Sequence, residues 1–204
     1  MVRYRRAYVP PSVEFGCLAQ EKKEDIGCQT GVVWIVMNAA TIEVRAFQPE
    51  DAGEVNRIAL AAWDEYRNLF SDWPRTRSFF AASASRAAEM DLLIATAASR
   101  IVGLVGYVAP GRKREDFFPA DWALMRLLSV DPAERGQGIG RRLSEECIAR
   151  ARRERASIIG LHTSPALTIA LPMYLRLGFV HYRDIPDRNG LPYATYALQL
   201  DSNP

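Results

Sequence analysis

The chain has 204 residues, which is enough for one domain with a sizeable hydrophobic core. Hydrophobic residues make up 49% of it and charged residues 25%, the usual balance of a water-soluble globular protein. The net formal charge is +2 without a long basic run, so we expect no nucleic-acid partner, and no apolar run approaches the ~20 residues that a membrane-spanning helix needs. Cys17, Cys28 and Cys147 lack metal-ligand spacing, which predicts a reducing, cytoplasmic location and no metal site.

Residues 1–40 differ from the rest of the chain. They contain Pro10 and Pro11, a charged run at residues 21–25, and no sustained hydrophobic period. We expect an N-terminal extension, or sequence upstream of a true start at Met37, followed by one domain over residues 41–204. The apolar, β-prone residues 32–36 leave three alternatives open: an edge strand, a contact in a homodimer, or a sticky segment without a partner.

The first half of the domain is predicted to contain a strand, two helices and a hairpin. Residues 41–47 alternate in polarity, which is typical of a strand. Pro49 and the two acids after it begin a helix with an apolar stripe, and residues 74–90 form a second helix. Residues 92–97 and 101–109 are strands joined by a short turn, and a polar loop follows.

The second half alternates strands and helices. Strands are predicted at residues 123–130, 157–163, 179–184 and 193–200, and helices at residues 139–155 and 165–177. The predicted fold class is therefore α/β, with a mixed sheet of six or seven strands flanked by helices.

A glycine-rich run lies between the strand at residues 123–130 and the helix that follows it. Glycines let the backbone turn sharply and approach a ligand closely. The start of the helix offers unpaired N–H groups and a partial positive charge to an anion. Full charges come from three arginines at the same place: Arg135, Arg141 and Arg142. This arrangement predicts a ligand that carries phosphates, whereas the plain structural alternative is a tight turn from strand to helix.

Two common phosphate loops do not fit this run. A nucleoside-triphosphate loop needs Lys and then Ser or Thr after its last glycine, but Arg141 follows Gly140. A dinucleotide loop needs the spacing G-x-G-x-x-G near the start of a βαβ unit, but the glycines here alternate and lie late in the chain.

The run does fit the pattern Arg/Gln-x-x-Gly-x-Gly/Ala through Arg135, Gly138 and Gly140. Residues 128–140 as a whole resemble the pyrophosphate loop of the GNAT N-acetyltransferase superfamily, which binds acyl-coenzyme A. Residues 172–179, with a tyrosine and a Gly-Phe pair, resemble the family's late helix and the start of its next strand. The resemblance covers roughly residues 41–200. It implies a GNAT-like, mostly antiparallel sheet and acetyl-CoA as cosubstrate.

The resemblance also implies a site. In the family, the strand before the loop bulges and parts from its neighbour, pantetheine lies in the gap, and a backbone N–H there stabilises the oxyanion. The implied cofactor-binding residues are Leu128, Ser129, Val130, Arg135, Gly136, Gln137, Gly138, Ile139, Gly140, Arg141 and Thr168. Tyr174 matches the general acid, and a phenol with a pKa of about 10 suits protonation of a thiolate. The alternative for Tyr174 is a packed structural tyrosine.

Two positions depart from the family pattern. Leu124 stands where many relatives carry a Glu that helps to deprotonate the amine. The alternatives for that role are a water chain, an amine that arrives neutral, or the side chains of Asp116, Asp121 and His162. Leu167 stands where many relatives have an Asn that contacts pantetheine, and the nearby hydroxyls are those of Thr163, Ser164 and Thr168.

The leading hypothesis is an N-acetyltransferase that moves an acetyl group from acetyl-CoA to a primary amine of a small molecule, an amino acid, an antibiotic-like amine, or a peptide or protein. Because Leu124 removes the usual base, a non-catalytic acyl-CoA-binding sensor is the alternative. A generic nucleotide-binding domain fits the loop but not residues 172–179. Aromatic residues expected in the core or around an acceptor pocket are Trp63, Tyr66, Phe70, Trp73, Phe79, Phe80 and Tyr193.

Overall fold

The computed structural model of the protein describes residues 41–200, and the expectations for residues 1–40 lie outside the described residues. The strands are β1 Ile42–Ala46, β2 Asp91–Ala97, β3 Arg100–Val108, β4 Ala123–Val130, β5 Ile158–Thr163, β6 Val180–Arg188 and β7 Leu191–Gln199. The α-helices are α1 Ala52–Asp64, α2 Trp73–Ala81, α3 Ile139–Arg153 and α4 Ala170–Arg176.

The strands form one sheet in the order β1-β2-β3-β4-β5-β7-β6. All neighbouring strands are antiparallel except β4 and β5, which are parallel and are joined through α3. A parallel pair needs such a crossover connection, whereas hairpins suffice elsewhere. The predicted mixed, mostly antiparallel sheet flanked by helices is confirmed, with seven strands.

Helices cover both faces of the sheet because its strands alternate apolar side chains between the two faces. On one face, Leu143 and Cys147 of α3 are fully buried against strand residues that include Val105. On the other face, Ile58 of α1 packs on Leu104, the residue next to Val105 in β3. The buried positions of α3 recur every three or four residues along one stripe, which is the period that the sequence predicted.

Two helices are shorter than predicted because local side chains redirect the backbone. After α2, the Ser83 hydroxyl donates to the carbonyl of Phe80 at 2.8 Å, and Asn56 accepts the N–H of Ala84 at 2.8 Å. The chain continues as a 3-10 helix, Ser83–Ala88, instead of extending α2 to residue 90. Before α4, Ser164 accepts the N–H of Ala166 at 3.2 Å in a turn, so the helix begins at residue 170 and not at residue 165.

The predicted hairpin between β2 and β3 turns through Ala98 and Ser99, which have φ of 47° and 65°. Two successive residues with positive φ are typical of a type I′ turn, whose twist suits a two-residue hairpin. Asn and Gly adopt this backbone at lower cost than Ala and Ser, so the turn is strained.

None of the helices in residues 41–200 combines the length and the apolar character that crossing a bilayer requires. The same residues contain no group of three His, Cys, Asp or Glu side chains placed to hold a metal ion.

Candidate active site

The two central strands, β4 and β5, part from each other. They pair only at Ala123 with Ile159 and at Leu124 with Gly160. On its other side β4 carries a bulge, since Arg126 lies opposite Gly106 and Ser129 lies opposite Leu104, which leaves two residues of β4 against one of β3. Leu127 at the bulge has a φ of 54°. A bulge bends a strand, so the backbone edge of β4 that follows faces a gap.

The glycine loop joins the end of β4 to α3. Gly136 and Gly138 have φ of 80° and 78°, and Gly138 is the N-cap of α3. The N–H of Arg142 donates to the Gly138 carbonyl, so the N–H groups of residues 139–141 precede the first intrahelical bond. These N–H groups lie where the sequence predicts an anion site. Gly140 differs, because its φ is ordinary and an added Cβ would make only ordinary contacts, with Met173, Val130 and Leu128 at 3.5–3.8 Å.

The side-chain charges around the loop are largely engaged with other residues. Arg135 donates to Glu65 at 2.6 Å and to the Ala62 carbonyl at 3.1 Å, which ties the loop to α1. Arg141 pairs with Glu145 at 2.7 Å. The expectation that Arg135 adds a free charge beside the phosphates therefore conflicts with its contacts, which leaves the backbone N–H groups and the exposed Arg142 as the donors near the loop.

A cavity of about 600 Å³ occupies the gap between β4 and β5 and extends between α1, α2 and α4. Of the sequence-predicted residues, those that line it are Leu128, Tyr174, Thr163, His162 and Leu167, with the aromatic side chains Trp63, Phe70, Phe79, Phe80 and Tyr193. Trp63 and Phe80 stack with their ring centroids 4.3 Å apart. Of the aromatic residues expected in the core or around an acceptor pocket, all but Tyr66 and Trp73 thus line the cavity, with Tyr193 next to His162.

Of the residues predicted to bind the cofactor, only Leu128 lines the cavity; residues 135–141 of the glycine loop lie outside its lining, as do Ser129, Val130 and Thr168. The Ser129 hydroxyl is buried, donates to the Leu127 carbonyl at 3.1 Å, and accepts the indole N–H of Trp63 at 3.3 Å. Val130 pairs with Gly103 in the sheet. Thr168 is exposed, whereas Thr163, the alternative hydroxyl, is buried at the cavity wall.

Tyr174 lies on α4 with its side chain buried at the cavity wall. Its ring meets that of Phe179 edge-on at 5.9 Å. Within residues 41–200, no group hydrogen-bonds its hydroxyl. Burial raises the pKa of Tyr174 above the usual value of ~10, so the phenol keeps its proton at neutral pH. A protonated, unengaged hydroxyl is what a proton donor requires.

Only one of the sequence-predicted candidates for the general base lines the cavity. Asp116 and Asp121 are exposed and do not line the cavity, and Leu124 is fully buried in the core. His162 does line the cavity, but burial, assisted by Arg126 and Arg188, lowers its pKa to about 3. A ring with so low a pKa is neutral at physiological pH and is a weak base.

A charged cluster that the sequence analysis missed lies on the same wall as His162. Its members are Arg126 on β4, Glu115 on the loop before β4, and Arg188 at the end of β6. Glu115 Oε1 forms an ion pair with Arg126 and lies 3.8 Å from Arg188 Nη2. Arg126 could have been noticed in the sequence, because it is a single charge inside the apolar residues 124–130. Glu115 could not, because it lies in a polar loop whose residues are expected to be exposed.

A sequence model of the acetyltransferase (GNAT) family matches residues 55–179. The match spans more than half of the chain, so this protein belongs to the GNAT acetyltransferase family, and the resemblance carried by the glycine loop and the late helix is confirmed. A comparison with curated proteins finds no significant match.

Solved structures of the family share the fold. Ard1 from Thermoplasma volcanium is 20% identical with a TM-score of 0.62, over 78% of this chain and 97% of its own. A GNAT family acetyltransferase from Brucella melitensis, in complex with acetyl-CoA, is 22% identical with a TM-score of 0.54, over 79% and 90%. An N-acetyltransferase from Staphylococcus aureus is 15% identical with a TM-score of 0.59, over 79% and 100%.

Proposed function

We propose that the protein is an N-acetyltransferase that moves the acetyl group of acetyl-CoA to a primary amine by direct attack of the amine on the thioester. The parting of β4 from β5 at the bulge is the observation that carries this proposal. It puts an open strand edge between the glycine loop and the cavity that Tyr174 lines. Family membership supports it, as does the acetyl-CoA bound to the Brucella relative.

The donor half of the site binds acetyl-CoA through backbone groups. The pyrophosphate lies on the N–H groups of residues 139–141, and pantetheine runs along the free edge of β4. The thioester carbonyl then reaches the bulge, where the N–H of Leu128 stabilises the oxyanion. As the amine nitrogen bonds to the carbonyl carbon, the C–S bond breaks, and the Tyr174 hydroxyl gives its proton to the departing thiolate.

The attacking amine must lose a proton. Leu124 cannot accept it, and the ion pair with Arg126 fixes one oxygen of Glu115 at the cavity wall. The other oxygen, Glu115 Oε2, is buried without a hydrogen-bond partner among the described residues. We propose Glu115 for the base role that the sequence left open; Oε2 has no accessible surface in this structure, so it accepts the amine proton after the side chain shifts toward the cavity.

The test is to titrate acetyl-CoA into the protein by calorimetry and then to follow the release of free thiol with a panel of primary amines. We expect binding and an amine-dependent release of CoA. Binding with no release for any amine would support the sensor alternative, which the buried Leu124 favours. Absence of binding would refute both.

Glu115→Gln tests the base, because it keeps the shape of the side chain and removes the proton acceptor. The proposal expects kcat to fall by ~10²-fold or more, with the loss smallest at high pH, where more amine is neutral. Asp116→Asn, the same change at the exposed neighbour, is the matched control and should leave kcat unchanged.

A further inference from the structure

The charged cluster beside the cavity carries more positive than negative charge. One carboxylate, Glu115, serves two guanidinium groups, those of Arg126 and Arg188. Arg126 is mostly buried, and buried charges need partners. The cavity as a whole repeats this imbalance, since its lining includes four arginines, Arg75, Arg86, Arg126 and Arg188, against three acids, Glu89, Glu115 and Asp187.

A hydrogen-bond donor without a partner, the Nδ1 of His162, lies next to this charged cluster. Arg188 Nη1 lies 3.4 Å from His162 Nε2, and because arginine only donates, Nε2 is the acceptor. The neutral ring therefore carries its proton on Nδ1, which is buried without a hydrogen-bond partner among the described residues. The guanidinium of Arg188 lies 5.2 Å from the centroid of the Phe117 ring and lines the cavity, with Nη1 directed at His162 and Nη2 3.8 Å from Glu115.

We propose that the acceptor is a small amino carboxylate, whose carboxylate binds Arg188 and Arg126 while its amine attacks the thioester. This inference rests on the proposed acetyl transfer and names the substrate class of the same site. The guanidinium fork matches a carboxylate, and one monoanion neutralises the one excess charge of the cluster. A phosphate monoester carries about two charges, more than the one excess charge of the cluster, so the cluster suits it less well.

The position of Arg126 makes this acceptor small. Arg126 precedes the bulge residue Leu128 by two positions, ~7 Å along a strand, so the carboxylate and the attacking amine belong to one compact molecule. The opposite wall of the cavity, with Trp63, Phe79 and Phe80, suits an apolar or aromatic side chain. Lysine side chains and chain termini of proteins offer an amine without a free carboxylate beside it, so they are not expected substrates.

The experiment compares each amino acid with the amine that lacks only its carboxylate: phenylalanine with phenethylamine, tryptophan with tryptamine, and leucine with 3-methylbutylamine. Thiol release from acetyl-CoA is measured for all six. At least one amino acid should exceed its partner in kcat/KM by roughly tenfold, since a charge-assisted hydrogen bond supplies that much. Equal or better turnover of the plain amines would overturn the inference and leave the acetyl transfer established.

Arg188→Gln identifies the group that binds the carboxylate. It should lower kcat/KM for the amino acid about tenfold more than for the paired amine, whereas Arg77→Gln, an exposed arginine of α2 outside the cavity, should change neither. Equal losses for both members of a pair would contradict a carboxylate contact.

Product binding gives a second answer that needs no turnover. CoA-loaded protein is titrated with N-acetylphenylalanine and with N-acetylphenethylamine by calorimetry. Tighter binding of the carboxylate, lost in Arg188→Gln, supports the inference even if all six amines are poor substrates. Equal binding of the two compounds would overturn the inference. Binding of acetyl-CoA by the same protein tests the donor site separately.

Discussion

Replacing Gly138 by alanine tests whether acetyl-CoA binding needs a glycine at this position. A second glycine with the same backbone conformation separates that effect from the loss of stability. The φ of Gly138 is 78°, and a Cβ added there would meet no protein atom within 4 Å. Gly111, in the loop after β3, has the same φ of 78° and the same open surroundings. Forcing an L-residue into this conformation costs ~1–2 kcal/mol at either position. For a domain of this size, that cost lowers Tm by ~2–8 °C.

The two alanine variants should therefore lose similar stability but differ in binding. In Gly138→Ala, the methyl group stands where the pyrophosphate approaches the N–H groups of residues 139–141, so acetyl-CoA affinity should fall at least roughly tenfold. In Gly111→Ala, affinity should stay at the wild-type level. Thermal unfolding gives the stability of the free proteins, and calorimetry with acetyl-CoA gives the affinities.

One result would refute the assignment of the loop. If Gly138→Ala binds acetyl-CoA as tightly as Gly111→Ala while both show the expected drop in Tm, the phosphates lie elsewhere. A drop in affinity shared by both variants would assign the effect to general loss of stability.

Three further predictions concern single side chains. Tyr174→Phe should lower kcat by ~10²-fold with little change in the KM for acetyl-CoA, and less for a donor with a more acidic leaving thiol; an unchanged kcat when chemistry limits turnover would make Tyr174 structural. Replacing Ala98 by Asn and Ser99 by Gly should raise Tm by ~2–4 °C, because each then suits its positive φ; a lower Tm would show that the turn is not strained. His162→Gln should flatten the loss of stability on acidification, because the unfolded ring takes up a proton below pH ~6.5 while the folded ring stays neutral down to about 3. In denaturant titrations between those limits, the free energy of unfolding should fall more steeply on acidification in the wild type than in the variant, by up to ~1.4 kcal/mol per pH unit. Parallel pH curves would contradict the buried, neutral ring.

The elements that carry the proposed donor site could be predicted from the sequence because they depend on local chemistry. The glycines of the loop, the apolar run of β4 and the apolar stripe of α3 are all visible within about 30 residues of sequence. The strand bounds of β4 agree with the prediction residue for residue. The bulge itself followed only from the family resemblance, since nothing in the residues near Leu127 marks a positive φ.

The acceptor side was less accessible because it depends on contacts between distant segments. Glu115, Arg126 and Arg188 meet from a loop, a central strand and an edge strand. Each alone looks like an ordinary charged residue, and only the tertiary fold brings them together. Arg135 is the opposite case. Its place in the glycine motif predicts a contact with a phosphate group, whereas in the fold it donates to Glu65.

The gap between β4 and β5 also bears on how the protein holds together. Only two residue pairs join β4 to β5, so the β1–β4 meander and the β5–β7 group are nearly separate hydrogen-bonded units. A ligand lying in the gap replaces a missing strand and bridges the two units, so its binding energy becomes part of the cohesion of the sheet. Amide protons of β5 and of the free edge of β4 should then exchange faster in the unliganded protein than those of β2 and β3, and slow down together when the gap is filled.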